Sequence, residues 1–240
     1  MQEQLENLVD YCNRNEMKIN ESKSKVMIFN TRRIYDGRPR LSLGEGDYLE
    51  VVEACKLLGV IIRSDLKWSD NTDYICKKGY ARLWMLRRLS TLGANQSEML
   101  DVYCKQVRSI LEMAVPVWQA GLTQLEIKQI ERVQRTALHI ILGENYLHYE
   151  NALEVLKCKK LSDRRYSLCE NFVRKTIKHP RFNNWFCVNS EPAPIVGTRN
   201  SKSKQILKYL PVKTRTDRFE DSPLPYLTNI LNTLKIQDWK

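Results

Sequence analysis

The chain has 240 residues, 42% of them hydrophobic and 28% charged, which is the composition of a folded chain with a core and excludes a disordered polymer. The formal net charge is +11, an excess that favours a polyanion as partner, with nucleic acid first. No apolar run reaches the ~20 residues that span a bilayer, so a membrane partner is not expected.

Seven cysteines at wide spacing, with no C-x-x-C, predict reduced thiols that serve as small buried hydrophobes in an intracellular protein of the nucleus or cytoplasm. His139, His148 and His179 do not stand at zinc spacing from paired cysteines. The acidic, amphipathic start, MQEQLENLVD, is expected to be neither a signal nor a transit peptide.

Residues 1–16 predict an amphipathic helix with Leu5, Leu8, Val9 and Cys12 on one face. A short strand and turn at Ile19 to Ser22 precede a β-prone run, Val26 to Phe29. Residues 31–47, rich in Arg, Gly and Pro, predict a loop or loose hairpin. Tyr48 to Val52 and Leu57 to Ile62 are further strand candidates. The second is almost continuously apolar and is expected inside a sheet.

The pattern becomes helical after Trp68. Asp70 to Leu89 carries the stripe Ile75, Gly79, Leu83 and Leu86. Asn95 and Glu98 have capping-box spacing and open a helix with Met99, Tyr103, Val107 and Ile110. The apolar turn Ala114 to Trp118 leads to a second box, Thr123 and Glu126. Behind it Ile127, Ile130, Val133, Ala137, Leu138 and Ile141 recur at helical spacing, with Glu126, Lys128, Glu131, Arg132 and Arg135 largely on the other face. Gly143 supplies a left-handed stop. Helices are predicted at Asn151 to Leu156 and from Ser162 to Lys178, the latter carrying Cys169, Phe172, Val173 and Ile177. After a linker at 183–197 comes a basic, aromatic-bearing tail and a last helix, Leu227 to Leu234. The five tryptophans are expected as core anchors, Trp118 above all.

Hydrolase, P-loop and dinucleotide motifs are absent. So is any adjacent Asp-Asp pair, and a two-metal nucleotidyl transferase needs clustered carboxylates. Cations and aromatics remain, in three clusters: Lys18 to Arg33, Lys77 to Arg88, and Arg199 to Arg218. Lys and Arg neutralise phosphates, while Tyr, Phe and Trp stack on bases. The plain alternative for the middle cluster is a solvated helix face.

Several stretches together resemble the C-terminal part of the reverse transcriptase of non-LTR retrotransposons (LINE elements) of the jockey and CR1 kind. Met17 to Met27, MKINESKSKVM, resembles motif D. Leu57 to Ile62, LLGVII, resembles motif E, the primer grip. Leu66-Lys67-Trp68-Ser69 and the basic helix after it are similar to the start of the thumb. Ile110 to Leu122 with Ile130 to Leu138 resembles a stretch beyond the thumb, and Arg215 to Tyr226 the end of such reading frames.

The resemblance implies an RNA-directed DNA polymerase as parent, with Mg2+ as its metal, and Lys23 at the place of a motif D proton donor to pyrophosphate. It further implies that Leu58 and Gly59 approach a primer end, and that Lys77, Lys78, Arg82, Arg87 and Arg88 track duplex phosphates. Lys18 and Lys25 join this set from the first basic cluster, and Lys202, Lys204, Lys208, Lys213, Arg215 and Arg218 from the last. The sequence starts after the place of the catalytic Asp-Asp hairpin, so the chain alone is expected to lack polymerase activity and a cofactor of its own.

The predicted fold is α+β and mostly α. It has a small antiparallel sheet remnant of a palm over 1–68, a helical thumb-like and post-thumb region over 69–182, and a linker with a basic tail over 183–240. The predicted role is binding of RNA, DNA or hybrid primer-template. The alternatives are a helical protein-interaction module or a decayed element copy.

Overall fold

The computed structural model describes residues 1–29, 40–43, 48–187, 209–210, 212–213 and 216–234. The fold is mostly helical, with a small sheet content of two short strand pairs. Two compact units are present, Met1–Asn71 and Thr72–Lys240.

The first unit opens with α1, Gln2–Arg14. Its half-buried side is Gln2, Leu5, Val9 and Cys12, while Leu8 is exposed. Gln2 anchors the helix start by donating to the Ser42 carbonyl at 3.0 Å and accepting from its amide at 3.2 Å. The strand expected at Ile19 is instead the approach to a 3-10 turn, Glu21–Lys23, capped by Asn20 Oδ1 accepting from the Lys23 amide at 3.1 Å. Two-residue strands follow, β1 (Lys25–Val26) and β2 (Glu50–Val51), and they pair in parallel. This pair and the antiparallel one that follows are separate two-stranded sheets, where one antiparallel sheet was expected.

The expected interior strand Leu57 to Ile62 is a hairpin. Strand β3 (Ala54–Leu57) pairs antiparallel with β4 (Val60–Arg63), and Leu58-Gly59 forms the two-residue turn between them. Both turn residues have positive φ, 47° and 90°, as the tight hairpin turn that matches strand twist requires. The apolar run misled because Leu58 is no turn former, yet its side chain is 93% exposed and has nothing to pack on. Asn71, buried, accepts from the Ile61 amide at 3.1 Å, and Arg63 bridges Asp65 and Asp70. Among the described residues of this unit only Val60, Trp68 and Asn71 are buried, so its packing is thin.

The second unit holds the main core. Helix α2 (Ser69–Thr91) turns the predicted stripe Ile75, Gly79, Leu83 and Leu86 inward, and Cys76 with it. Gly79 is closely covered: a Cβ there would lie 3.0 Å from Val133 and 3.1 Å from Leu111.

Helix α3 (Gln96–Val102) starts with the predicted Asn95/Glu98 capping box. It runs through a π-helical stretch, Tyr103–Arg108, into α4 (Ser109–Leu111). Met99, Tyr103, Val107 and Leu111 are buried, a spacing of four. The wider π turn holds that stripe in register, so the core receives Leu111 where a 3.6-residue period predicts Ile110.

Ala114 adopts φ 52° and redirects the chain into α5 (Val115–Trp118), with Pro116 in its first turn. Trp118 is fully buried, and its indole N–H donates to the Met113 carbonyl at 2.9 Å. Helix α6 (Gln124–Leu142) bears the Thr123/Glu126 capping box. Its buried residues include the predicted Ile130, Val133, Ala137, Leu138 and Ile141, and also Glu126 and Gln134. Glu126 is buried because the box folds its carboxylate back onto Thr123, whose amide and hydroxyl both donate to it at 2.7 Å. Gly143 ends the helix at φ 55°, ψ −125°, a region open to glycine but outside the left-handed helical basin expected.

Helices α7 (Tyr149–Val155) and α8 (Leu161–Lys178) pack on α6, and α8 also meets α5. Cys169 and Val173 face inward on α8 as predicted. Phe172 is exposed, and Thr176 and Arg165 take inward places instead. The segment after 183 is not only a tail. Phe186 and Tyr209 are buried edge to face, and Asn232 clasps the Tyr209 backbone through both its N–H and C=O. After the short α9 (Asp217–Glu220), α10 (Pro223–Thr233) buries Leu227, Ile230 and Leu231 against α5 and α8.

A polar ladder crosses this core. Tyr103 donates to Gln134 at 2.5 Å, Gln134 donates to Tyr149 at 2.8 Å, and Tyr149 donates to Glu131 at 2.5 Å. Glu131 also accepts from the Ser162 amide at 2.7 Å, so one chain of hydrogen bonds ties α3's continuation, α6, α7 and the start of α8 together. A fully bonded network of this kind fixes one packing register, because any slip strands a buried polar group. All seven cysteines are free thiols. Cys76 and Cys169 are buried, Cys187 is exposed, and the other four lie between.

Candidate nucleic-acid interface

The outward side of α2 gathers the middle basic cluster. At about 100° per residue, the inward stripe leaves Arg87, Tyr80, Trp84, Asp73, Lys77 and Arg88 on one arc of about 100°, with Lys78 and Arg82 on the far flank. Lys77, Lys78, Arg82, Arg87 and Arg88 are all exposed, and none forms a salt bridge among the described residues. Lys78 Nζ instead stands 5.2 Å from the Tyr74 ring centre.

Trp84 lies 58% exposed between these cations, and Tyr80 is 39% exposed beside them. The expectation that the tryptophans anchor the core thus holds for Trp68 and Trp118 but not for Trp84 or for Trp185, which is 48% exposed; Trp239 lies outside the described residues. One residue step after the buried Leu83 carries the Trp84 indole round to the solvent side. Cations alternating with open aromatic faces can offer both phosphate neutralisation and base stacking.

The other sequence-expected residues are distributed. In the first unit Lys18 and Lys23 are exposed, and Lys25 is taken by Glu50 at 2.5 Å across the β1–β2 pair. Leu58 and Gly59 form the hairpin tip, where Leu58 is exposed and Gly59 half-buried. Lys213 is exposed. Lys202, Lys204, Lys208 and Arg215 lie outside the described residues, as does the side chain of Arg218, whose backbone belongs to α9.

A second basic surface lies on the side of α6 opposite its apolar stripe, where the sequence placed Lys128, Arg132 and Arg135. Lys128, Arg132 and Arg135 stand at i, i+4 and i+7 on α6, within an arc of about 60°. With Lys160 they line a cleft of about 310 Å³ that also holds Glu131, Tyr149, Glu150 and Ser162. The Arg135 guanidinium lies 5.2 Å from the Tyr149 ring centre, a cation–π contact that orients it. Lys160 and Glu150 are 3.8 Å apart, and Lys128 and Arg132 form no salt bridge among the described residues. Burial and the Glu131 carboxylate push the Tyr149 hydroxyl far above its ordinary range, so it stays protonated and keeps donating. The α6 spacing was legible in the sequence. The arrival of Lys160 from the loop before α8 was not.

A smaller cleft of about 240 Å³ joins α2 to α6, lined by Asp73, Cys76, Lys77, Tyr80, Gln129 and Arg132. Among the described residues, no three His, Cys, Asp or Glu side chains gather as a metal site, and no helix is long and apolar enough to cross a membrane. No family model, curated protein or solved structure matches the chain.

Proposed function

We propose that the chain grips nucleic acid, as the thumb and downstream part of a non-LTR retrotransposon reverse transcriptase, and does not itself carry nucleotidyl transfer. One observation carries the reading: α2 turns five cations outward without carboxylate partners among the described residues and sets Tyr80 and Trp84 between them. An exposed tryptophan and tyrosine set among these cations suit a strand-binding face, where they can stack on bases. The motif resemblance supplies the parent activity. The absence of an adjacent Asp-Asp pair in the sequence supports a binding role without two-metal chemistry.

The test is binding of the purified chain to a labelled RNA–DNA primer-template across a salt series, with single-stranded RNA as comparator. The reading predicts tighter binding to the duplex and a log–log salt slope of several units. It also predicts weaker binding for Arg87→Gln/Arg88→Gln, with a slope shallower by about two. Binding that does not change with salt, or none at low salt, would overturn it in favour of a protein-interaction module.

A further inference from the structure

We propose that the cleft between α6 and the start of α8 is a second phosphodiester-binding site, and that Arg132 joins it to the α2 face in one continuous track for a nucleic-acid strand. The proposal rests on the nucleic-acid reading above and extends it to residues on a different helix.

Three features make the cleft more than a solvated face. The first is its charge. Four cations, Lys128, Arg132, Arg135 and Lys160, meet two carboxylates, Glu131 and Glu150. Glu131 forms no salt bridge with them among the described residues, because one oxygen accepts from Tyr149 and the other from the Ser162 amide; its charge remains, and four cations against two carboxylates still leave the cleft positive. That amide belongs to the first turn of α8, where the helix dipole offsets the carboxylate charge. Glu150 stands 3.8 Å from Lys160 and is 61% exposed, so that contact is weak and easily exchanged for a phosphate.

The second feature is spacing. Lys128 and Arg135 are seven residues apart, about 10.5 Å along the helix at 1.5 Å per residue. That length is about three nucleotide steps of a duplex strand, which rises about 3.4 Å per nucleotide. The third is orientation. Arg135 is braced on the Tyr149 ring, and Tyr149 is locked by Gln134 and Glu131.

Continuity comes from Arg132, which lines both this cleft and the smaller one holding Lys77 and Tyr80 of α2. The close crossing at Gly79 brings the two helices near enough for that sharing. A strand entering over Trp84 and Tyr80 would pass Lys77, turn at Arg132 and run along Lys128, Arg135 and Lys160.

The decisive experiment is the salt series repeated with Lys128→Gln/Arg132→Gln in the full chain. Neither side chain forms a salt bridge among the described residues, and circular dichroism checks that the fold is kept. A charge-preserving control, Lys128→Arg/Arg132→Lys, covers any misfolding caused by substitution itself. We expect Kd for the primer-template to rise about tenfold or more near 0.1 M salt, the slope to fall by about two, and the control to bind as wild type. Wild-type binding with unchanged affinity and slope in the Gln variant would overturn the track and leave the α2 reading standing. No wild-type binding would overturn both. Equal affinity for polyglutamate would overturn the track in favour of an acidic protein partner.

Discussion

Gly79→Ala tests the helix crossing on which the second unit depends. By local propensity alone the substitution should help, because alanine is favoured over glycine inside a helix by about 0.8–1.0 kcal/mol. The tertiary structure opposes it. The new Cβ would lie 3.0 Å from Val133 Cγ1 and 3.1 Å from Leu111 Cδ2, where carbon contacts are comfortable near 3.5–4.0 Å. Both neighbours are fully buried, so neither can swing into solvent. Overpacking of this kind costs about 1–3 kcal/mol, which exceeds the propensity gain and leaves a net loss near 1 kcal/mol. Urea unfolding followed by circular dichroism, at constant m-value, would show it as a lower midpoint. Val133→Ala removes one of the two close atoms and leaves Leu111 Cδ2 at 3.1 Å, so Gly79→Ala made in that background should cost less than in the wild type, with a coupling of about 1 kcal/mol. If Gly79→Ala stabilises the wild-type chain, or the pair shows no coupling, the crossing is looser than described and the α2-to-α6 track loses its geometric basis.

Arg165 is fully buried, donates through Nε to Gln119 at 2.7 Å, and has no partner for Nη1 or Nη2 among the described residues. Arg165→Met should therefore be neutral or stabilising, by about 1–3 kcal/mol in urea unfolding, since it removes an uncompensated buried charge while keeping volume; a loss of similar size would show that the guanidinium is satisfied. Leu58→Asn should stabilise the first unit by about 1 kcal/mol, because Asn tolerates positive φ and the exposed leucine gives up no packing; hydrogen exchange of the hairpin amides would report it. Burial pushes the Cys76 thiol up to about 11 and the Cys169 thiol up to about 12, from an ordinary value of 9.0. Their folded values lie above the unfolded one, so this stability is whole below pH 9 and is lost as pH rises through 9 toward 11–12, by on the order of 1 kcal/mol per thiol at pH 10. The unfolding midpoint should fall across that window, and Cys76→Ala/Cys169→Ala should flatten the fall. In native protein a thiol reagent should modify the exposed Cys187 long before Cys76 or Cys169, which should react only on unfolding.

The helices were legible because what makes them is local. The two capping boxes, Asn95/Glu98 and Thr123/Glu126, form as their spacing predicts, and the stripes of α2 and α6 face inward. The β region was read less well. Leu57 to Ile62 has the composition of a buried strand, but a leucine at positive φ turns it into a hairpin, and no propensity favours leucine there. Nor does periodicity locate the π stretch that replaces Ile110 by Leu111 in the core.

For the candidate site, the α2 cations were plain in the sequence, while the outward Trp84 and the α6 cleft were not. By itself, the sequence determined the helical class, the caps, the inward stripes and the excess of positive charge, because each depends on residues within a turn or two of one another. Only the tertiary structure decided which charges meet. Arg132 joins two clefts because Gly79 lets α2 lie close to Val133, Lys160 arrives from a loop, and Glu131 is drawn away by Tyr149 and the start of α8. Those meetings depend on where helices cross, and a crossing point is set by packing between segments far apart in the chain.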